Sequence, residues 1–172
     1  MNILKFLVMT TFVLCGFVQA QLLPNNSTLN AHSVQRWMAS NRDFAALIEA
    51  VDSMFKTEKE LNAFDLLSPI AQDQKINDFL QKHKMLETAN AITFQHGWKS
   101  VGEYRRLSTK LGNAIAASFL ASKMSRLTAD EKKTLREKSD PVVVAVPPAD
   151  IAFIKANEKL LKSYIQAYAA TR

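Results

Sequence analysis

Three imidazoles are available for acid–base or metal chemistry: His32, His83 and His96. No two of them stand at the i, i+4 spacing that puts a metal-binding pair on one helix face. His32 falls in a polar lead-in, His83 between Lys82 and Lys84 reads as exposed, and His96 before Gly97 reads as a capping residue. The carboxylates come in pairs. Glu58/Glu60 and Asp130/Glu131 lie among lysines, whereas Glu49 and Asp52 flank an apolar helix face about one turn apart. A glycoside hydrolase could use such a pair, but solvated helix flanks account for it more simply. No Gly-x-Ser-x-Gly elbow occurs, and none of the 4 glycines builds a phosphate-cradling loop. A haem bundle would need an axial histidine on an apolar face or a Cys-x-x-Cys-His site, and neither is evident. No catalytic residue, metal ligand or cofactor is therefore assigned.

What remains is a basic cluster. Lys99, Arg105, Arg106 and Lys110 surround the start of a long helix, with Arg106 and Lys110 one turn apart. Lys123, Arg126, Lys132, Lys133 and Arg136 follow around a later helix start. If they converge, these nine side chains form a patch facing an anion or an acidic partner. The charge is unevenly placed: residues 21–78 carry 5 Lys/Arg against 8 Asp/Glu, residues 79–138 carry 12 against 5, and residues 139–172 carry 4 against 3. A basic middle of this kind could also be an ordinary solvated surface.

The elements that must position these residues read as helices. Val34, Trp37 and Met38 share a face, and Ser40-Asn41 offers a break and cap. Phe44, Leu47, Ile48, Val51, Met54 and Phe55 then follow the helical repeat closely. Ile76, Phe79 and Leu80 open a helix expected to run through Lys84 into Leu86, Ala89, Ile92 and Phe94, with His96-Gly97 as its stop. Ser100 and Glu103 form a capping box in front of Tyr104, Leu107, Leu111, Ile115, Phe119 and Leu120. Ser108, Gly112 and Ala116 on this helix are small residues four apart, which would let another helix approach closely. Thr128 and Glu131 form a second capping box, opening a charged helix that Asp140-Pro141 breaks. The β-branched run Val142–Val146 is expected to be an extended linker, because a lone strand has no partner in a helical protein. A last helix begins near Ala149 or Asp150 and carries Ile151, Ile154, Leu161, Ile165 and Tyr168 on one face. The fold class is all-α, an irregular bundle of about six helices.

The N-terminus sets the compartment. Lys5 charges a short start, Phe6–Val18 is almost wholly apolar, and Val18-Gln19-Ala20 supplies a small-residue exit before Gln21. That is the secretory pattern, with cleavage between Ala20 and Gln21. The apolar run is shorter than the ~20 residues a spanning helix needs, so no transmembrane segment is expected in the exported chain. Leu14-Cys15-Gly16 lacks the small residue a lipobox wants before its cysteine. Cleavage removes Cys15, the only cysteine, and with it any disulfide, thiol nucleophile or thiolate metal site. Such a chain fits a bacterial periplasm, where the sequons at Asn25 and Asn26 have no role. The domain reading is 1–20 signal peptide, 21–32 flexible lead-in and 33–172 one helical domain.

Two segments carry a resemblance. Val34-Gln35-Arg36-Trp37-Met38-Ala39-Ser40 with the following Phe44–Ile48 stretch, and His96-Gly97-Trp98-Lys99-Ser100-Val101-Gly102-Glu103-Tyr104, are similar to segments of uncharacterised exported all-helical proteins of proteobacteria. The resemblance implies a Gram-negative envelope origin and an all-helical fold, and no activity. The expectation is thus a periplasmic or secreted, non-enzymatic interaction module. Its partner would be an unknown protein or an anionic envelope component. Export argues against nucleic acid. The alternative is a lipid- or envelope-anion-binding module opening along Ser108, Gly112 and Ala116, with an enzyme a distant third.

Overall fold

The computed structural model describes residues 29–170. The expected signal peptide, its Ala20/Gln21 junction, Cys15 and most of the lead-in lie outside the described residues. Among those described there is no strand. The helices are α1 (Ala31–Asp52), α2 (Glu58–Asp65), α3 (Pro69–Lys82), α4 (Leu86–Gln95), α5 (Val101–Met124), α6 (Ala129–Glu137), α7 (Pro141–Val144), α8 (Pro148–Ala156) and α9 (Glu158–Ala170). The all-α expectation holds. The count of about six does not: nine helices are present among the described residues, because stops that are weak in sequence terminate elements that hydrophobic periodicity would run together.

These helices fall into two compact units, one spanning residues 31–109 and the other residues 110–170 with Leu29 and Asn30. In the first, α1 buries Val34, Trp37, Phe44, Leu47, Ile48 and Val51, the stripe that its helical spacing specifies. Phe64, Ile76, Leu80, Ala89, Trp98, Val101 and Tyr104 are buried from the other elements of that unit. α1 does not break at Ser40-Asn41. The Ser40 hydroxyl donates to the carbonyls of Arg36 (2.9 Å) and Trp37 (3.2 Å), so its polarity is satisfied inside the helix and it caps nothing.

The stretch from Ile76 to Phe94 is two helices. α3 ends in a Schellman motif: Met85 N–H reaches Leu80 O at 2.8 Å and Lys84 N–H reaches Gln81 O at 3.0 Å. Lys84 occupies the left-handed position, with φ 58°. α4 ends in the same way, Trp98 N–H reaching Thr93 O at 2.8 Å and Gly97 N–H reaching Phe94 O at 3.1 Å, with Gly97 at φ 68°. The glycine made the second stop legible. The first costs a lysine an unfavourable backbone conformation and leaves no composition signal.

In the second unit, Leu111, Ala114, Ile115, Ala116 and Ala117 of α5 are buried, as are Ile154, Leu161 and Tyr168, and the rings of Phe119 and Tyr168 lie 5.4 Å apart. The Thr128/Glu131 capping box forms as expected. The valine run is not an extended linker. Pro141–Val144 is a single helical turn, with the Asp140 side chain accepting from Val142 N–H at 2.8 Å. An acidic N-cap followed by proline at the first helical position supplies the local hydrogen bonds that an unpartnered strand would lack. The last helix is likewise divided, into α8 and α9, at Asn157, whose side-chain amide donates to Phe153 O at 2.9 Å.

Candidate functional site

The cations singled out by sequence divide into two classes. Around the first turns of α5, Arg105, Arg106 and Lys110 are neutralised, each within its own unit, whereas Lys99 makes no ion pair among the described residues. Glu103 N–H donates to Ser100 Oγ (2.9 Å), and the Glu103 carboxylate accepts from Lys99 N–H (2.6 Å). The expected capping box is thus present with its return bond displaced one residue upstream. Lys99 itself is exposed.

Arg105 is buried, its guanidinium held by Asp52 Oδ1 at 3.4 Å and Asp65 Oδ1 at 3.1 Å. The rings of Phe55 and Phe64 lie 5.3 and 5.1 Å from it. Asp52 and Asp65 are the last residues of α1 and α2, where a negative charge opposes the helix dipole, and Arg105 offsets both. Burial pushes both carboxyl groups above the usual carboxylate range, against the pull of the Arg105 charge and its hydrogen bonds. Of the Glu49/Asp52 pair, Asp52 turns to Arg105 while Glu49 is exposed.

Arg106 is clamped on Asp73, with Nη1 2.7 Å from Oδ1 and Nη2 3.3 Å from Oδ2. Its Nη1 also reaches Pro69 O and Gln72 Oε1, each at 3.3 Å. Ser100 Oγ donates to the same carboxylate at 2.9 Å. This hub explains Gly102: a Cβ there would stand 2.0 Å from Asp73 Oδ1. In the second unit, Lys110 Nζ lies 3.4 Å from Oδ2 of the fully buried Asp150, whose Oδ1 accepts from Leu29 N–H at 2.7 Å.

The other class lies beyond the buried part of α5. Lys123, Arg126, Lys133 and Arg136 are exposed and Lys132 is half-buried. Among the described residues none of the five makes an ion pair. Lys123 and Arg126 converge with Phe119, Ser122 and Leu127 on one shallow open groove at the end of α5. Lys132 and Arg136 are one turn apart on α6. The Glu131 carboxylate, next to Lys132, is occupied: its Oε2 accepts from the Thr128 N–H and hydroxyl, each at 2.8 Å, which lowers its pKa.

The small-residue row behaves differently from expectation. Ser108 accepts the Trp37 indole N–H. A Cβ on Gly112 would meet nothing within 4 Å, so no neighbouring backbone sits close there. The close approach is at Gly102, where the neighbour is the Asp73 carboxylate.

The histidines take structural places. His96 caps α4 and contacts Asp43 at 2.7 Å, while His83 packs against Phe79, ring centroids 4.3 Å apart. Among the described residues no group of three or more His, Cys, Asp or Glu is placed to hold a metal ion, and no helix is long and apolar enough to cross a membrane.

Sequence reasoning also missed the polar interior of the first unit. Trp98 is buried, edge-on to Phe44 and Tyr104, with the Arg36 guanidinium 3.8 Å above its ring. Arg36 also donates to Gly97 O at 2.7 Å and pairs with Glu103 at 3.3 Å. No signal short of the fold joins Arg36 to Trp98. No known protein family, curated protein or solved structure matches the chain.

Proposed function

We propose that this chain is an exported, non-enzymatic interaction protein that meets an acidic protein partner through the end of α5 and through α6. The reading places it in the periplasm of a Gram-negative cell after removal of residues 1–20. One observation carries it. Arg105, Arg106 and Lys110 face carboxylates of their own unit, whereas Lys123, Arg126, Lys132, Lys133 and Arg136 have no ion-pair partner among the described residues. Cations left unneutralised over consecutive elements create a field that steers an acidic partner and fixes its register.

The test is affinity capture from an envelope extract, with the exported chain as bait. It is run with wild type, with a Lys123→Glu/Lys133→Glu/Arg136→Glu variant, and with Lys138→Glu, a single reversal just past the end of α6, as a control. An acidic protein held at physiological salt by wild type and the control, and released by the triple variant, is the expected result. Equal capture by all three chains removes this surface from the function.

A further inference from the structure

The groove at the end of α5 adds something that charge alone does not. Its apolar side chains are Phe119 and Leu127, and its rim carries Ser122, Lys123 and Arg126. Phe119 is backed by the Tyr168 ring at 5.4 Å. The turn that brings Leu127 back towards it is held by Ser125 N–H to Ala121 O (3.0 Å), Arg126 N–H to Lys123 O (3.3 Å) and Leu127 N–H to Met124 O (3.2 Å). Two half-buried apolar side chains beside two exposed cations three residues apart are complementary to an apolar side chain accompanied by carboxylates. A uniformly acidic surface would satisfy the rim and leave the apolar side chains wet.

We infer that this groove seats one apolar anchor of an acidic amphipathic segment of the partner, with carboxylates beside the anchor meeting Lys123 and Arg126. The inference rests on the acidic-partner reading and names the part of the partner that is recognised. The chemistry is that of helix-in-groove recognition, in which apolar anchors at helical spacing supply affinity and flanking charges supply orientation. The five cations attract the partner. The groove then selects, among acidic surfaces, those that carry an anchor.

The experiment measures binding by fluorescence anisotropy with three probes: a synthetic peptide with leucine and glutamate at helical spacing, a peptide of the same composition with its leucines scattered, and polyglutamate. Vesicles of anionic phospholipid serve as a fourth arm. Wild type is expected to prefer the amphipathic peptide to polyglutamate by about tenfold, the size of effect that one well-seated apolar side chain produces. Leu127→Gln should abolish that preference and leave polyglutamate binding unchanged. Lys123→Glu/Arg126→Glu should weaken both peptides. A preference that survives Leu127→Gln overturns the groove, and so does tighter binding to the vesicles than to the amphipathic peptide. If wild type shows no preference but Lys133→Glu/Arg136→Glu still weakens polyglutamate, the groove falls while the acidic-partner reading stands. If no acidic peptide binds, both fall.

Discussion

The indole N–H of Trp98 donates to the hydroxyl of Ser40 at 3.0 Å, across 58 residues of chain, and both residues are buried. Because Ser40 Oγ donates in turn to the carbonyls of its own helix, the hydroxyl is used fully, and a nominal helix-breaking residue becomes the fixed point for an aromatic cluster. Ser40→Ala removes little volume but strands a buried donor, so a loss of about 1–3 kcal/mol is expected from urea unfolding. In Trp98→Phe the serine has no indole to satisfy, and adding Ser40→Ala to it should cost clearly less than Ser40→Ala alone. Additive losses would show that the hydrogen bond contributes nothing.

The two glycines of α5 make opposite predictions. At Gly102 an added Cβ would stand 2.0 Å from Asp73 Oδ1 and 2.9 Å from Arg106 Nη1. Gly102→Ala must therefore displace a carboxylate that three hydrogen bonds hold, at an expected cost of about 1–3 kcal/mol. Gly112 has open space around it and helical geometry. Gly112→Ala should raise stability by roughly 0.5–1 kcal/mol, through helix propensity and a less flexible unfolded chain. Thermal unfolding of the two single variants checks the opposite signs directly.

Arg105→Met should destabilise by about 2 kcal/mol, below the figure for a fully buried pair because Asp52 and Asp65 keep 37% and 41% of their side-chain surface open. The loss comes from two carboxylates left facing apolar surroundings at helix C-termini. Adding Asp52→Asn and Asp65→Asn to Arg105→Met should restore part of it. If the triple variant is no more stable than the single one, the clasp does not act through charge.

The raised carboxyl groups of Asp52 and Asp65 fix the direction of a pH effect. A folded pKa above the unfolded one means that the folded state holds more protons between the two values, so these residues add stability as pH falls through that window and lose it as pH rises. The stability of wild type minus that of Asp52→Asn/Asp65→Asn should therefore increase as pH is lowered from neutral into the carboxylate range. A urea midpoint series on both chains measures it, and a difference that shrinks on acidification contradicts the assignment.

Asp150 is fully buried and fastens both Leu29 N–H and Lys110. Asp150→Ala should cost about 1–3 kcal/mol, since it leaves the Leu29 N–H without its acceptor and removes the carboxylate that faces Lys110. Amide exchange at Leu29 should rise well beyond what the global loss of stability explains. Exchange at Leu29 that merely tracks global unfolding would show that Asp150 does not anchor the segment.

Several features were legible because they are local. The α1 stripe from Phe44 to Val51 and the Thr128/Glu131 box each depend on residues within a turn or two of one another. The Gly97 stop was readable because glycine enters the left-handed region without strain. The stop at Lys84 was not, because a lysine reaches that conformation only when the hydrogen bonds around it compensate. The Val142–Val146 run misled because β-branched residues favour strands only where a pleated neighbour exists. Here Asp140 and Pro141 offered the backbone a nearer solution.

By itself, the sequence determined the all-helical class, the capped starts of α5 and α6, the apolar faces and the uneven placement of charge, since each follows from spacing along one element. Which cations are consumed was decided only by tertiary structure. Arg105, Arg106 and Lys110 differ from Lys123, Arg126 and Lys133 in nothing that a local window reveals. They differ because Asp52, Asp65, Asp73 and Asp150 are brought against the first three from 33 to 53 residues away or, for Asp150, from a later helix. A charge is neutralised by whatever lies within a few ångströms, and that neighbour is set by how helices pack.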